Sequence, residues 1–149
     1  MYQDLQSTFS QAQPISGAAA TPILSTNVID MGLPKDVKRS HAIYQNTQKN
    51  VFDAAHIPLE VQVVEAVVGA TGGVTFEVIQ SATSNMATPD VLFSVTVPTA
   101  QLVKGYELKI KELPMGITKQ FVALRYTPIT TLTSAGKVTS FIPTAKQLN

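Results

Sequence analysis

The sequence predicts an all-β fold, on three observations. Val, Ile and Thr make up 43 of the 149 residues, and side chains stiff at χ1 suit a pleated sheet better than a helix. From residue 59 onward apolar and polar residues alternate at period 2, and no long segment shows the 3.6-residue period of an amphipathic helix. Turn-forming clusters interrupt these runs at intervals of about 8–15 residues, the spacing of a sandwich, jelly roll or barrel. Parallel βαβ architecture would need helical crossovers, for which the chain leaves no room.

Taken in order, residues 1–22 set single apolar side chains (Tyr2, Leu5, Phe9 and Ile15) among polar residues and Pro14. That pattern fits an extended N-terminal arm lying along another surface, or an irregular first strand. With the arm as the working division, residues 23–149 form one β domain. Ala18-Ala19-Ala20 is too short, and too near Gly17 and Pro22, to make a helix. Residues 33–57 are weakly patterned, and a connection that long is usually functional or mobile. Leu59, Val61 and Val63 alternate with Glu60 and Gln62 until the phase slips at Val63-Val64, the mark of a bulge or a strand end.

Val74, Phe76 and Val78 then alternate with Thr75 and Glu77, and Val91 to Val97 alternates with its odd-numbered positions inward. The cleanest run is Tyr106 to Lys111: Tyr106, Leu108 and Ile110 face a core, Glu107, Lys109 and Lys111 face water. Phe121 to Thr127 is apolar on both faces, which predicts a central strand. Lys137 to Ile142 completes a set of about eight antiparallel strands. Ala70-Thr71-Gly72-Gly73, Thr88-Pro89-Asp90, Lys104-Gly105, Pro114-Met115-Gly116 and Ser134-Ala135-Gly136 are turns between them. No repeat at a fixed period argues for a solenoid or propeller.

Composition excludes several classes of function. The chain has no cysteine and two histidines, His41 and His56, so disulfides and a zinc site of the usual ligands are not expected. A net charge of +1 gives no electrostatic case for nucleic acid or an anionic membrane as partner. Charged residues are 14% of the chain, against roughly 25% in a typical soluble domain. Either part of the surface faces another protein, or the strands are coated with Thr, Ser and Gln. Leu5 to Ile29 carries no charge, yet its Gln, Ser, Thr and Pro content rules out a membrane span. The first basic residue is Lys35, so no positively charged leader precedes an apolar stretch, and export is not expected.

Catalytic chemistry is not apparent either. Glu60, Glu77 and Glu107 sit on the outward phase of predicted strands, where carboxylates are solvated rather than held in a shaped pocket. No nucleophile elbow, zinc-protease helix motif or phosphate-cradling loop is present, and Gly72-Gly73 is a turn. The aromatics Phe76, Phe93 and Tyr106 fall on inward phases, so they do not form the stacking platform of a nucleic-acid-binding sheet. Lys35, Lys38, Arg39 and His41 could touch an acidic partner or simply form a solvated loop, and as exposed ion pairs they would contribute only about 0–1 kcal/mol each. No cofactor is expected, and the chain reads as a protein without enzymatic activity.

Three blocks together resemble the capsid cement (decoration) proteins of short-tailed bacteriophages of the Bordetella-phage type. The first is Phe9-Ser10-Gln11-Ala12-Gln13 leading into Ser25-Thr26-Asn27-Val28-Ile29-Asp30-Met31-Gly32. The second joins Pro98, Ala100 and Leu102 to Lys104-Gly105-Tyr106 and then Leu113, Pro114 and Gly116. The third is Leu124-Arg125-Tyr126-Thr127 with Thr133 and Ala135-Gly136-Lys137-Val138-Thr139-Ser140-Phe141. Residues 33–57 depart from the pattern in length and charge. The resemblance implies a jelly-roll-like fold, no catalysis, and attachment to the outer face of the phage major capsid protein in the virion after synthesis in the host cytoplasm. It also implies a homo-oligomer, a dimer or else a trimer, that bridges capsomers. The expected contact residues are Tyr2, Leu5, Phe9, Ile15, Lys35, Lys38 and Arg39. Two other classes compete: a glycan- or receptor-binding module of a phage tail or fibre, and a cupin-type enzyme. The absence of Trp for sugar stacking argues against the former, and the two loop-region histidines do not supply the metal ligands of the latter.

Overall fold

Alternation of β-branched and polar residues produces eight antiparallel strands in a computed structural model that describes residues 7–32, 57–69, 71–133 and 136–143. They are β1 (Thr8–Pro14), β2 (Ile23–Leu24), β3 (Ile29–Asp30), β4 (Glu60–Glu65), β5 (Gly73–Ser81), β6 (Asp90–Pro98), β7 (Phe121–Pro128) and β8 (Lys137–Phe141). One sheet has the order β1-β8-β4, the other β2-β7-β5-β6 with β3 also pairing β7. Val61, Val63, Phe9 and Val138 of the first sheet share one buried core with Val74, Phe76, Val78, Val122, Leu124 and Tyr126 of the second. The fold is a two-sheet β sandwich.

The segment 106–112 supplies a fourth row to the first sheet. Its side chains alternate as the sequence predicts: Leu108 is buried, Tyr106 and Ile110 are half-buried, and Glu107, Lys109 and Lys111 are exposed. Its backbone bonds to β4: the Val63 N–H donates to the Tyr106 carbonyl at 2.9 Å, and Leu108 N–H to the Val61 carbonyl at 2.9 Å. Yet only isolated bridges form, Gln62 with Glu107 and Pro58 with Glu112. The two bridges differ in register by one residue, and that slip interrupts a continuous ladder. With this row the sheets read β1-β8-β4-(106–112) and (β2, β3)-β7-β5-β6, the interleaved Greek-key order of a jelly roll.

Bulges account for two features of the pattern. In β4 the register shifts between Val63 and Glu65, at the Val63-Val64 phase slip. In β6 Val78 pairs with Phe93 but Ile79 with Val91, so Leu92 is an extra residue. The inward phase expected for Val91 is therefore lost, and Val91 is 47% exposed. β7 is central as expected, with β5 on one side and β2 and β3 on the other. It is apolar on both faces because Ile79, Ala123 and Met86 form a second small core, against which Val28 and Phe121 pack. Gly73 at the start of β5 meets β6 so closely that a Cβ there would lie 2.5 Å from the Val97 carbonyl oxygen.

The expected arm is corrected from residue 8 onward. Residues 8–14 are an integral strand, paired with β8 from Thr8–Phe141 to Pro14–Lys137. Phe9 and Ile15 are 0% exposed in the chain's own core, so neither can anchor a partner in this fold. Two register shifts and a left-handed Ala12 at φ 45° break the period-2 pattern of β1. This is the irregular first strand, the second of the two possibilities.

Tyr126 ties the two sheets together. Its hydroxyl lies 2.9 Å from Ser10 Oγ and 2.9 Å from Ser140 Oγ, both on the first sheet. Ser10 spends its only hydroxyl proton on Gln13 Oε1 at 2.6 Å. Tyr126 must then donate to Ser10 and accept from Ser140. The ring meets Phe76 edge-on, with centroids 5.7 Å apart. Desolvation pushes the phenol up to about 12 despite the two serine hydrogen bonds, which act in the opposite direction.

Candidate interaction surface

Among the described residues, three parts of the surface gather charged partners or several apolar side chains. The first is the outer face of the second sheet, where Glu77 and Arg125 are direct cross-strand partners on β5 and β7. Arg125 Nε lies 2.6 Å from Glu77 Oε2, and the side chains are 25% and 14% exposed. Such a half-buried, charge-assisted bond fixes the pairing of two central strands. Glu77→Ala is expected to lower unfolding free energy by about 1 kcal/mol, read from a denaturant midpoint. An unchanged midpoint would mean the pair only decorates the sheet.

Further ion pairs are Lys111–Glu107 at 2.8 Å, Lys119–Asp90 at 2.6 Å and Lys137–Glu65 at 2.7 Å. The Lys111 hydrogen bond holds the Glu107 carboxyl below the usual carboxylate range, and Glu107 raises Lys111 in return. Asp30 accepts from the Gly32 backbone and from Gln120 Nε2. Among the described residues no three His, Cys, Asp or Glu side chains gather as a metal site would require.

The second part is one end of the sandwich. In the loops 15–22, 66–72, 99–105 and 129–136, the described residues 15–22, 66–69, 71–72, 99–105, 129–133 and 136 meet there through backbone bonds. Val67 N–H donates to the Leu102 carbonyl, Thr99 to Gly72, Ile129 to Gly73, and Leu132 to Gly17. Across the four loops the sequence carries one charged residue, Lys104. Val68, Val103 and Ile129 are 56%, 55% and 49% exposed on three of them, and Ala18, Ala19, Ala20 and Ala100 are exposed beside them. Single exposed apolar residues need no explanation, but several on converging loops with almost no charge form a candidate interaction surface.

The third part is the side of the sandwich between β6 and segment 106–112. A groove of about 280 Å³ runs there, lined chiefly by Phe93, Val95, Val97, Tyr106, Leu108 and Ile110. Phe76 is core as expected, at 3% exposure, but Phe93 and Tyr106 are only half-buried. Their inward phase leads to the open side rather than the sealed centre. Alternation assigns a face, not a position across the sheet, so the groove was invisible in the sequence. The lack of any charge between Val91 and Val103 was the available signal.

Of the expected contact residues, Tyr2, Leu5, Lys35, Lys38 and Arg39 lie outside the described residues, as do His41 and His56. Phe9 and Ile15 are core. The exposed apolar residues Val68, Val103 and Ile129 did not figure in the expected set, because each stands in a turn-rich segment where period-2 reasoning is silent. In comparisons with known proteins, the chain matches no protein-family model and no curated protein sequence.

Proposed function

We propose that this protein is a structural capsid cement protein that binds the outer surface of a phage major capsid shell and bridges neighbouring capsomers. It does so as a homo-oligomer, a dimer in the first instance, without catalysis. The observation that carries the reading is the nearly uncharged loop end with Val68, Val103 and Ile129 exposed. Apolar area withdrawn from water contributes about 25 cal/mol per Å², whereas a charge buried without a partner costs several kcal/mol. A surface of this composition favours contact with protein over permanent exposure to solvent. The three sequence blocks resembling cement proteins, and a jelly-roll order of strands, support the same reading.

The mechanism is linkage. A protein that binds the assembled shell and not its separated subunits stabilises the shell in proportion to occupancy. Symmetry repeats a modest interface many times, and two-point attachment raises effective affinity without new contacts. The test is to assemble particles of the encoding virus with V68E/V103E/I129E in place of the wild-type chain. All three positions are exposed, so the fold is expected to persist by circular dichroism. Occupancy on purified particles is expected to fall about tenfold or more, equivalent to about 1.4 kcal/mol or more. Full occupancy by the variant would remove the loop end from the contact, and particles that never carry the wild-type chain outside would remove the function.

A further inference from the structure

A sandwich has four sheet edges, and each unpaired edge is a template for another strand unless something blunts it. Three of the four are blunted here. β1 carries two register shifts, the left-handed Ala12 and a terminal Pro14. β2 and β3 are two residues each. Segment 106–112 presents Glu107, Lys109 and Lys111 to solvent and slips in register.

The fourth edge, β6, carries a bulge at Leu92 and a terminal Pro98, but between them, over Phe93–Val97, it lacks these devices. That run is regularly paired to β5 on one side, and β6 is the last strand of its sheet. Among the described residues no backbone bond reaches its outer side. It contains no charge and no proline. Its inward side chains, Phe93 and Val95, are half-buried at the mouth of the apolar groove.

We propose that the β6 edge pairs antiparallel with β6 of a second copy of this chain about a two-fold axis, joining the two outer sheets into one. The occupant is argued from self-complementarity. With Val95 opposite the partner's Val95, Phe93 faces the partner's Val97 and Ser94 faces the partner's Thr96. One face of the junction is then wholly apolar and the other wholly hydroxyl, with no like charges opposed. Asp90, already paired with Lys119, falls outside the junction. An isologous contact of this kind closes on itself and leaves no free edge to propagate. The second copy also extends the apolar layer over the groove that the first leaves open. The inference rests on the self-association included in the function proposed above, and names its surface.

Sedimentation of the full chain tests it. The wild type is expected at twice its 16.0 kDa chain mass. Ser94 and Thr96 are both exposed on the outer face. S94K/T96K sets like charges against each other across the axis and is expected to sediment as a single chain with an unchanged circular dichroism spectrum. S94K/T96E sets opposite charges there and is expected to restore the double mass. A wild type of single-chain mass overturns the proposal together with the self-association, whether or not the protein still decorates particles. A double-lysine variant that stays at double mass overturns the β6 edge alone and leaves self-association through another surface.

Discussion

Phe9→Ala is expected to destabilise the free protein by about 3–5 kcal/mol, the usual cost of emptying a buried aromatic site. Phe9 is fully buried on β1, which pairs along its length with β8 and contributes to the shared core. Against a typical total of 5–15 kcal/mol, that loss leaves a marginal domain, visible as a drop of about 10 °C in Tm. The same substitution separates the two readings of the first residues. An arm that docks on a partner would leave the free protein's Tm unchanged and weaken only the complex. A variant that melts with the wild type would return Phe9 to the surface.

Tyr126→Phe is expected to cost about 1–3 kcal/mol at neutral pH. It keeps the ring and its edge-on contact with Phe76 but deprives Ser10 and Ser140 of their buried partner. The pH dependence is more specific. The folded phenol ionises at about 12, against about 10 for an unfolded tyrosine. Between those values the unfolded chain has released the proton that the folded protein keeps, so stability falls as pH rises, by about 1.4 kcal/mol per pH unit. The contribution is complete below pH 10 and gone above 12. Wild type should therefore lose about 2–3 kcal/mol more than the phenylalanine variant across that window, narrowing the difference between them. Denaturant curves at several alkaline pH values measure this, and parallel losses for the two proteins would show that the phenol does not carry the effect.

The sequence was most informative where strands are regular. β5, β7 and β8 announced their faces through alternation or two-sided apolarity, and the Val63-Val64 slip marked a real bulge. β1 was ambiguous because bulges and Ala12 destroy the periodicity on which such reading depends. Lone apolar residues in polar sequence look alike whether they anchor a partner or plug a core, since burial is decided by segments far along the chain. Ile15, for instance, bonds through its N–H to the Gly136 carbonyl. Ser25-Thr26-Asn27 has a similarly tertiary explanation: Ser25 Oγ accepts from the Leu124 N–H, Thr26 N–H donates to Gln13, and Asn27 Nδ2 donates to the Thr8 carbonyl. Those short polar residues splice β1 to the opposite sheet. The nearly uncharged loop end and the bare β6 edge could not be assembled from sequence, because each brings together stretches that only topology makes neighbours.

Thr8 and Phe141 sit across from each other, while Pro14 and Lys137 close the far end of the same strand pair beside the nearly uncharged loops. The start of β1 and the end of β8 thus lie at the end of the sandwich opposite Val68, Val103 and Ile129. In the attachment proposed above, through those loops, the Thr8 and Phe141 ends of this strand pair would face away from the capsid, and the body would stand between them and the shell as a pedestal.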